Sequence, residues 1–62
     1  MKKYAPTQRG AKSYAQDLME SIGIEEYRLE YKSGKKLNVV TDLGLYVISY
    51  DGSVRLVLTP FK

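Results

Sequence analysis

The sequence contains no cysteine, no histidine and no tryptophan. The lack of cysteine excludes disulfides, and the lack of both cysteine and histidine removes the usual ligands of zinc and redox centres. Cysteine and histidine are also common catalytic nucleophiles and bases. The adjacent Glu25 and Glu26 do not replace them as a catalytic carboxylate pair, because neighbouring residues of a strand point to opposite faces. We therefore predict that the protein is not an enzyme, holds no cofactor or metal and takes no small-molecule substrate.

Long hydrophobic runs are also missing. No apolar stretch approaches the ~20 residues that cross a bilayer, and the first residues lack the apolar core of a signal peptide. We expect a cytoplasmic protein with no membrane partner. A chain of 62 residues forms one domain, which buries only about 60% of the surface of the unfolded chain. Without a disulfide or a metal, self-association is the simplest source of further stability.

Basic residues exceed acidic ones by three, and they are unevenly distributed. The first twelve residues contain four basic side chains and no acidic one, and a second basic cluster surrounds Gly34. Such clusters are either ordinary solvated surface or contacts for phosphate or an acidic protein. The free N–H groups of a helix N-terminus would add to the positive potential of the first cluster. The candidate anion or nucleic-acid contacts are Lys2, Lys3, Arg9, Lys12 and Arg28.

One amphipathic helix is predicted over residues 8–22, after a flexible basic arm formed by residues 1–6. Thr7 is expected to be its N-cap, and Gly23 suits the left-handed position that follows a helix. The apolar side chains recur at helical spacing and form one stripe. The members of this stripe are Ala11, Tyr14, Ala15, Leu18, Met19 and Ile22.

Alternating apolar and polar residues predict four strands, over residues 25–32, 37–41, 45–50 and 53–59. The charge pattern of the first strand requires a loop of odd length before the second, so that Tyr31 lies opposite Leu37. We expect the five residues from Lys32 to Lys36 to form this loop. A three-residue loop ending at Gly44 would follow the second strand. Asp51-Gly52 then predicts a two-residue type I′ turn, which places Val47 opposite Leu56.

These registers place the apolar residues of all four strands on one face, which the helix would cover. The fold class is α+β: one N-terminal helix packed on one face of a four-stranded antiparallel meander, in two layers. The covered face would carry Tyr27, Leu29, Tyr31, Leu37, Val39, Leu45, Val47, Val54, Leu56 and Leu58.

The opposite face of this sheet would be uncovered and unusually apolar, which is typical of an interaction surface. We expect a protein-binding module that forms a homodimer through this face or binds another protein there, as an inhibitor or accessory protein would. The alternative is a nucleic-acid-binding protein that uses its basic N-terminal segment and stacks Tyr46 and Tyr50 on bases. In that case Arg28, Lys32 and Arg55 would contact phosphates. The candidate partner-binding residues are Val40, Tyr46, Ile48, Tyr50, Arg55 and Val57.

Overall fold

A computed structural model describes residues 4–60. Its strands form one antiparallel sheet in the order β1-β2-β3-β4, and the helix packs on one face of the sheet against β2 and β3. The predicted two-layer α+β meander is confirmed. The elements are α1 (Gln8–Ser21), β1 (Tyr27–Lys32), β2 (Lys36–Thr41), β3 (Gly44–Ser49) and β4 (Arg55–Leu58).

Both ends of α1 have the predicted caps. The hydroxyl of Thr7 accepts a hydrogen bond from the backbone N–H of Gly10 at 3.1 Å, as an N-cap side chain does. At the other end Gly23 has a φ of +79°, and the N–H of Ile24 donates to the carbonyl of Met19 at 2.9 Å. This is the Schellman arrangement, in which a residue with positive φ lets the chain turn back and satisfy the last free carbonyls.

The residues that precede α1 pack across its first turn. A Cβ atom on Gly10 would lie 1.8 Å from the carbonyl oxygen of Ala5, so only glycine leaves room for this crossing. The rings of Tyr4 and Tyr14 meet edge to face with centroids 5.3 Å apart, and the Tyr4 hydroxyl donates to the Asp17 carboxylate at 2.5 Å. The sequence predicts a flexible arm here, but the described part of that arm instead lies against the helix.

The apolar stripe of α1 covers the sheet with its smallest members at the centre. Ala11 and Ala15 are fully buried, and Tyr14 and Leu18 pack at the margin of the core. Ile22 is 45% exposed, contrary to its predicted place on the covered side. The reason is that the chain turns directly after it.

The predicted pairing of the first two strands is confirmed. Tyr31 lies opposite Leu37, so the apolar residues of both strands face α1. The pairing extends to Lys32 and Lys36, and the loop therefore has three residues rather than five. Its length is odd, as the charge pattern requires.

The predicted pairing of β2 with β3 is wrong by one residue. Thr41 pairs with Gly44, so the turn contains only Asp42 and Leu43. The Thr41 hydroxyl holds this turn, since it accepts from the N–H of Leu43 at 3.1 Å and donates to the carbonyl of Gly44 at 2.9 Å. Gly44 has a φ of +132°, and a Cβ there would lie 2.5 Å from the Cβ of Pro60. A shift of one residue moves every side chain of β3 to the other face of the sheet.

The predicted pairing of β3 with β4 is also wrong. Ile48 rather than Val47 lies opposite Leu56, and a bulge follows in β4. Of the Asp51-Gly52 pair only Gly52 has a positive φ, of +87°, whereas a type I′ turn requires it at both positions. The strands are instead joined by a wider loop over residues 50–54.

These registers change which side chains of β3 form the core. Tyr46, Ile48 and Tyr50 are 9%, 0% and 5% exposed, so they do not lie on the uncovered face as predicted. Turning them inwards buries two aromatic rings, a larger apolar area than Leu45 and Val47 would bury. The buried core consists of Ala11, Ala15, Met19, Leu37, Val39, Tyr46, Ile48 and Tyr50.

Candidate protein-binding face of the sheet

The face of the sheet that points away from α1, here called the outer face, carries a cluster of aliphatic side chains. Val40 lies opposite Leu45, and Val47 lies opposite Leu58. Paired residues project to the same side of a sheet, and Leu45 and Val47 are two residues apart on one strand. The four side chains are therefore neighbours. We call Val40, Leu45, Val47 and Leu58 the apolar patch.

The apolar patch is open to solvent. Leu58 is 50% exposed, while Val40, Leu45 and Val47 are partly exposed, and no helix or strand within residues 4–60 lies over them. Val57, the extra residue of the bulge in β4, is 46% exposed beside them. A connected set of exposed aliphatic groups on a protein of this size is typical of an interaction surface.

A mixed-charge rim borders the outer face along β1. Arg28, Glu30 and Lys32 alternate with the residues of that strand that face α1. The Glu30 carboxylate lies 3.2 Å from the Arg28 guanidinium and 3.7 Å from the Lys32 ammonium group. These pairs are largely exposed, with 71% of the Arg28 side chain accessible, so each stabilises the fold by less than about 1 kcal/mol. Their main effect is to leave a rim with charges of both signs.

The two edges of the sheet are less suited to pairing with another strand. β1 presents alternating charges along its edge, and β4 has only four residues and a bulge. Charged side chains, short edge strands and bulges are the features by which proteins block strand addition. The outer face is therefore a better candidate for association than either edge.

The structure keeps half of the predicted partner-binding set on the accessible surface. Val40 and Arg55 lie on the outer face, and Val57 is exposed at the bulge. The other three, Tyr46, Ile48 and Tyr50, are core residues and cannot contact a partner. The pattern of the sequence missed Leu45 and Val47, because it assigned the other alternate set of β3 to this face. It missed Leu58 because the bulge in β4 shifts that residue to the outer side.

Arg55 has a structural role that its sequence position does not reveal. Its guanidinium donates to the carbonyls of Asp51 and Ser53 at 3.3 and 3.2 Å and to the Ser53 hydroxyl at 3.2 Å. Arg55 therefore closes the loop between β3 and β4 through one terminal nitrogen of its guanidinium group.

The predicted anion contacts do not form one site. Lys2 and Lys3 lie outside the described residues. Arg9 and Lys12 are exposed on the first turns of α1, whereas Arg28 lies on the outer face with Glu30 as its partner. The helix and the outer face are on opposite sides of the sheet, so Arg28 does not join the other two.

The base stacking predicted for Tyr46 and Tyr50 cannot take place on the outer face. Tyr46 and Tyr50, the residues expected to stack, are in the core. Within residues 4–60 the strand pairing places no aromatic side chain on the outer face. The surface that remains can exclude water against another apolar surface but has no ring on which a base could stack.

An acidic cleft lies at the C-terminal end of α1. It has a volume of ≈ 380 Å³, and its lining includes Glu25, Glu26 and Asp42. Over residues 4–60 no group of three or more histidine, cysteine, aspartate or glutamate side chains is placed to hold a metal ion. The helix of the same region is too short and too polar to cross a membrane.

No family model matches this chain, and no curated protein or solved structure is detectably similar to it. A functional assignment must therefore be made from the geometry and chemistry of the surface.

Proposed function

We propose that this protein is a small non-enzymatic protein-binding module, and that the outer face of its sheet binds a second copy of the same chain. The supporting observation is the apolar patch, which no described part of the chain covers. Two-fold association would place this patch against its own copy and remove both from water. Burial of apolar surface is the dominant favourable contribution to most protein association.

The charges around the patch favour a copy of the same chain over a partner of one charge sign. A two-fold dimer brings the same rim from both copies together, so a rim of uniform charge would repel itself. Here Glu30 lies between Arg28 and Lys32, and each copy offers the other both signs. Two sheets can stack in this way at a separation of about 10 Å, with their strands within about 30° of one another.

The size of the outer face predicts a weak dimer. Three strands of six residues and one of four, about 4.8 Å apart and with a rise of about 3.3 Å per residue, give a footprint of roughly 350 Å². A standard interface buries about 800 Å² per partner, so we expect dissociation in the micromolar range or weaker. The chain has an accessible surface of 4389 Å², close to the roughly 4,100 Å² expected of a folded monomer of this length. The monomer should therefore remain folded when the dimer dissociates.

Sedimentation equilibrium from micromolar to millimolar concentration tests this proposal. The wild type should shift from monomer to dimer, and Leu58→Asp should stay monomeric because it places a charge within the patch. Leu58 is 50% exposed, so this variant should still fold, as circular dichroism would show.

Leu43→Asp is the matched control. It makes the same substitution at a residue that is 69% exposed in the turn between β2 and β3, away from the outer face. This variant should dimerise like the wild type. A wild type that stays monomeric at millimolar concentration would overturn the homodimer, and equal dimerisation of both variants would overturn the choice of surface.

A further inference from the structure

Two basic clusters that are distant in the sequence meet at one end of the molecule. The Tyr31 hydroxyl, at the end of β1, lies 3.4 Å from the carbonyl oxygen of Gln8 at the start of α1 and donates a hydrogen bond to it. The N–H of Tyr50 donates to the carbonyl of Lys35 at 2.9 Å, which fixes the loop between β1 and β2 beside the end of β3. The start of α1 and this loop are thereby neighbours. We call Arg9, Lys12, Lys32, Lys35 and Lys36 the basic end. Lys32 and Lys36 belong to it by their place at the ends of β1 and β2, although the strand pairing puts them on the outer-face side of the sheet.

Acidic residues collect at the opposite end. Glu20 lies in the last turn of α1, and Glu25, Glu26 and Asp42 border the cleft beyond it. Residues 4–60 contain equal numbers of basic and acidic side chains, so the positive potential arises from their arrangement rather than from an excess of charge. Segregation of this kind steers an anionic partner towards one end of the molecule.

Most cations of the basic end have no acidic partner within the described chain. Arg9, Lys12, Lys35 and Lys36 are exposed and form no ion pair with residues 4–60, and only Lys32 lies near a carboxylate, at 3.7 Å. The β3–β4 loop contributes one acidic residue, Asp51, to this end. Contact with an external anion would therefore require little rearrangement of existing pairs.

We propose that the basic end binds the phosphate backbone of a nucleic acid, in addition to the association proposed for the outer face, with which it shares Lys32. A surface of exposed lysine and arginine side chains that has no apolar centre is suited to repeated contacts with phosphates. Contacts of this kind do not depend on the base sequence. An acidic protein would need buried apolar anchors for tight binding. The described basic end has only Tyr31, which is 41% exposed, as a large exposed apolar side chain. The free N–H groups of the first turn of α1 add further donors for phosphate.

Fluorescence anisotropy with a labelled duplex DNA of arbitrary sequence, titrated with the whole chain at several salt concentrations, measures this binding. Four to five phosphate contacts predict a slope of about −4 in log K against log salt. The affinity should accordingly fall roughly 100- to 500-fold between about 50 and 200 mM salt.

Single substitutions locate the contact. Lys12→Gln and Lys36→Gln, one from each cluster, should each weaken binding about 5- to 10-fold and reduce the slope by about one. Arg28→Gln is the control, because it removes the same charge from a side chain that is 71% exposed on the outer face. It should weaken binding less than either lysine variant does, and it should leave the slope nearly unchanged, because Arg28 itself makes no phosphate contact.

Three results would overturn the proposal. The first is no binding at low salt, and the second is a loss with Arg28→Gln equal to that of the two lysine variants. The third is displacement of the DNA by polyglutamate at the same charge concentration, which would assign the basic end to an acidic protein.

Discussion

Replacement of Gly10 by alanine tests the packing of the N-terminal residues across the first turn of α1. At an open helical position this change stabilises a protein by about 0.8–1.0 kcal/mol. At Gly10 the new methyl group would lie 1.8 Å from the carbonyl oxygen of Ala5 and 2.8 Å from its carbonyl carbon. These are backbone atoms and cannot rotate away. Overpacking typically destabilises by about 1–3 kcal/mol, so we expect a net loss of roughly 0–2 kcal/mol.

Urea unfolding followed by circular dichroism measures this change. With a slope near 1 kcal/mol per molar urea, the midpoint should fall by up to about 2 M. Ser13→Ala is the control on the same helix, because Ser13 is exposed. This variant should raise the free energy of unfolding by a few tenths of a kcal/mol. In a Tyr4→Ala background the N-terminal segment has already lost its contacts with Tyr14 and Asp17. Gly10→Ala should then destabilise less, which a double-mutant cycle would detect.

The reasoning would be refuted if Gly10→Ala raised the free energy of unfolding by about 1 kcal/mol. A gain of this size is expected for Gly→Ala at an open helical position. Such a result would mean that the residues preceding α1 do not cross the helix at Gly10.

Two further predictions concern the sheet. Ile48→Ala should lower the free energy of unfolding by about 2–5 kcal/mol in urea titrations, because Ile48 is 0% exposed. This is a large part of the about 3–9 kcal/mol expected for the free energy of unfolding of the whole domain. A loss below about 1 kcal/mol would contradict the burial of Ile48. Gly44→Ala should be destabilising by about 1–3 kcal/mol, through its φ of +132° and the close approach of Pro60. Gly52→Ala, with a φ of +87° but no atom within 4 Å of the new Cβ, should be less destabilising, and the opposite order in thermal melts would contradict this account of the turn.

The sequence alone predicts the helix and the pairing of β1 with β2, because independent features of the sequence agree in both places. A polar Thr7, an apolar stripe of period 3.6 and Gly23 all mark the same helix. In β1 every second residue is charged, so only one face of the strand could meet the core. This contrast also determined the pairing of Tyr31 with Leu37.

The pairing of β3 could not be predicted in the same way, because both of its faces are apolar. Leu45 and Val47 on one side compete with Tyr46 and Ile48 on the other, and periodicity does not distinguish them. Which face of β3 points to the core depends on the volume buried there and on the hydrogen bonds of Thr41 across its turn. Both arise only in the folded structure, so the sequence pattern does not reveal them. This single residue of register accounts for the misplaced half of the candidate site.

The Asp51-Gly52 pair was a misleading turn signal for a related reason. Its local preference for a tight hairpin is overridden by the burial of Tyr50, which is 5% exposed and bonded to the carbonyl of Lys35. Arg55 also stabilises the wider loop, because its guanidinium donates to the carbonyls of Asp51 and Ser53. Tertiary contacts of this kind routinely outweigh the preference of a dipeptide.

The prediction of an interaction surface stays open to test even though its residues have changed. Within residues 4–60 one face of the sheet has no covering layer, and in either register that face carries aliphatic groups. The structure replaces the aromatic candidates with Leu45, Val47 and Leu58. An apolar patch without aromatic rings favours protein association over base stacking, and we expect nucleic-acid contact at the basic end instead.

The most direct test compares Val47→Asp with Ile48→Asp by circular dichroism and sedimentation equilibrium. The two residues are neighbours on β3 and receive the same charge, so strand propensity affects both alike. Val47→Asp should remain folded and become monomeric at concentrations where the wild type dimerises. Ile48→Asp should unfold, because it places an unpaired charge in the core. A folded monomeric Ile48→Asp together with an unfolded Val47→Asp would show that β3 faces the other way and that the apolar patch is part of the core.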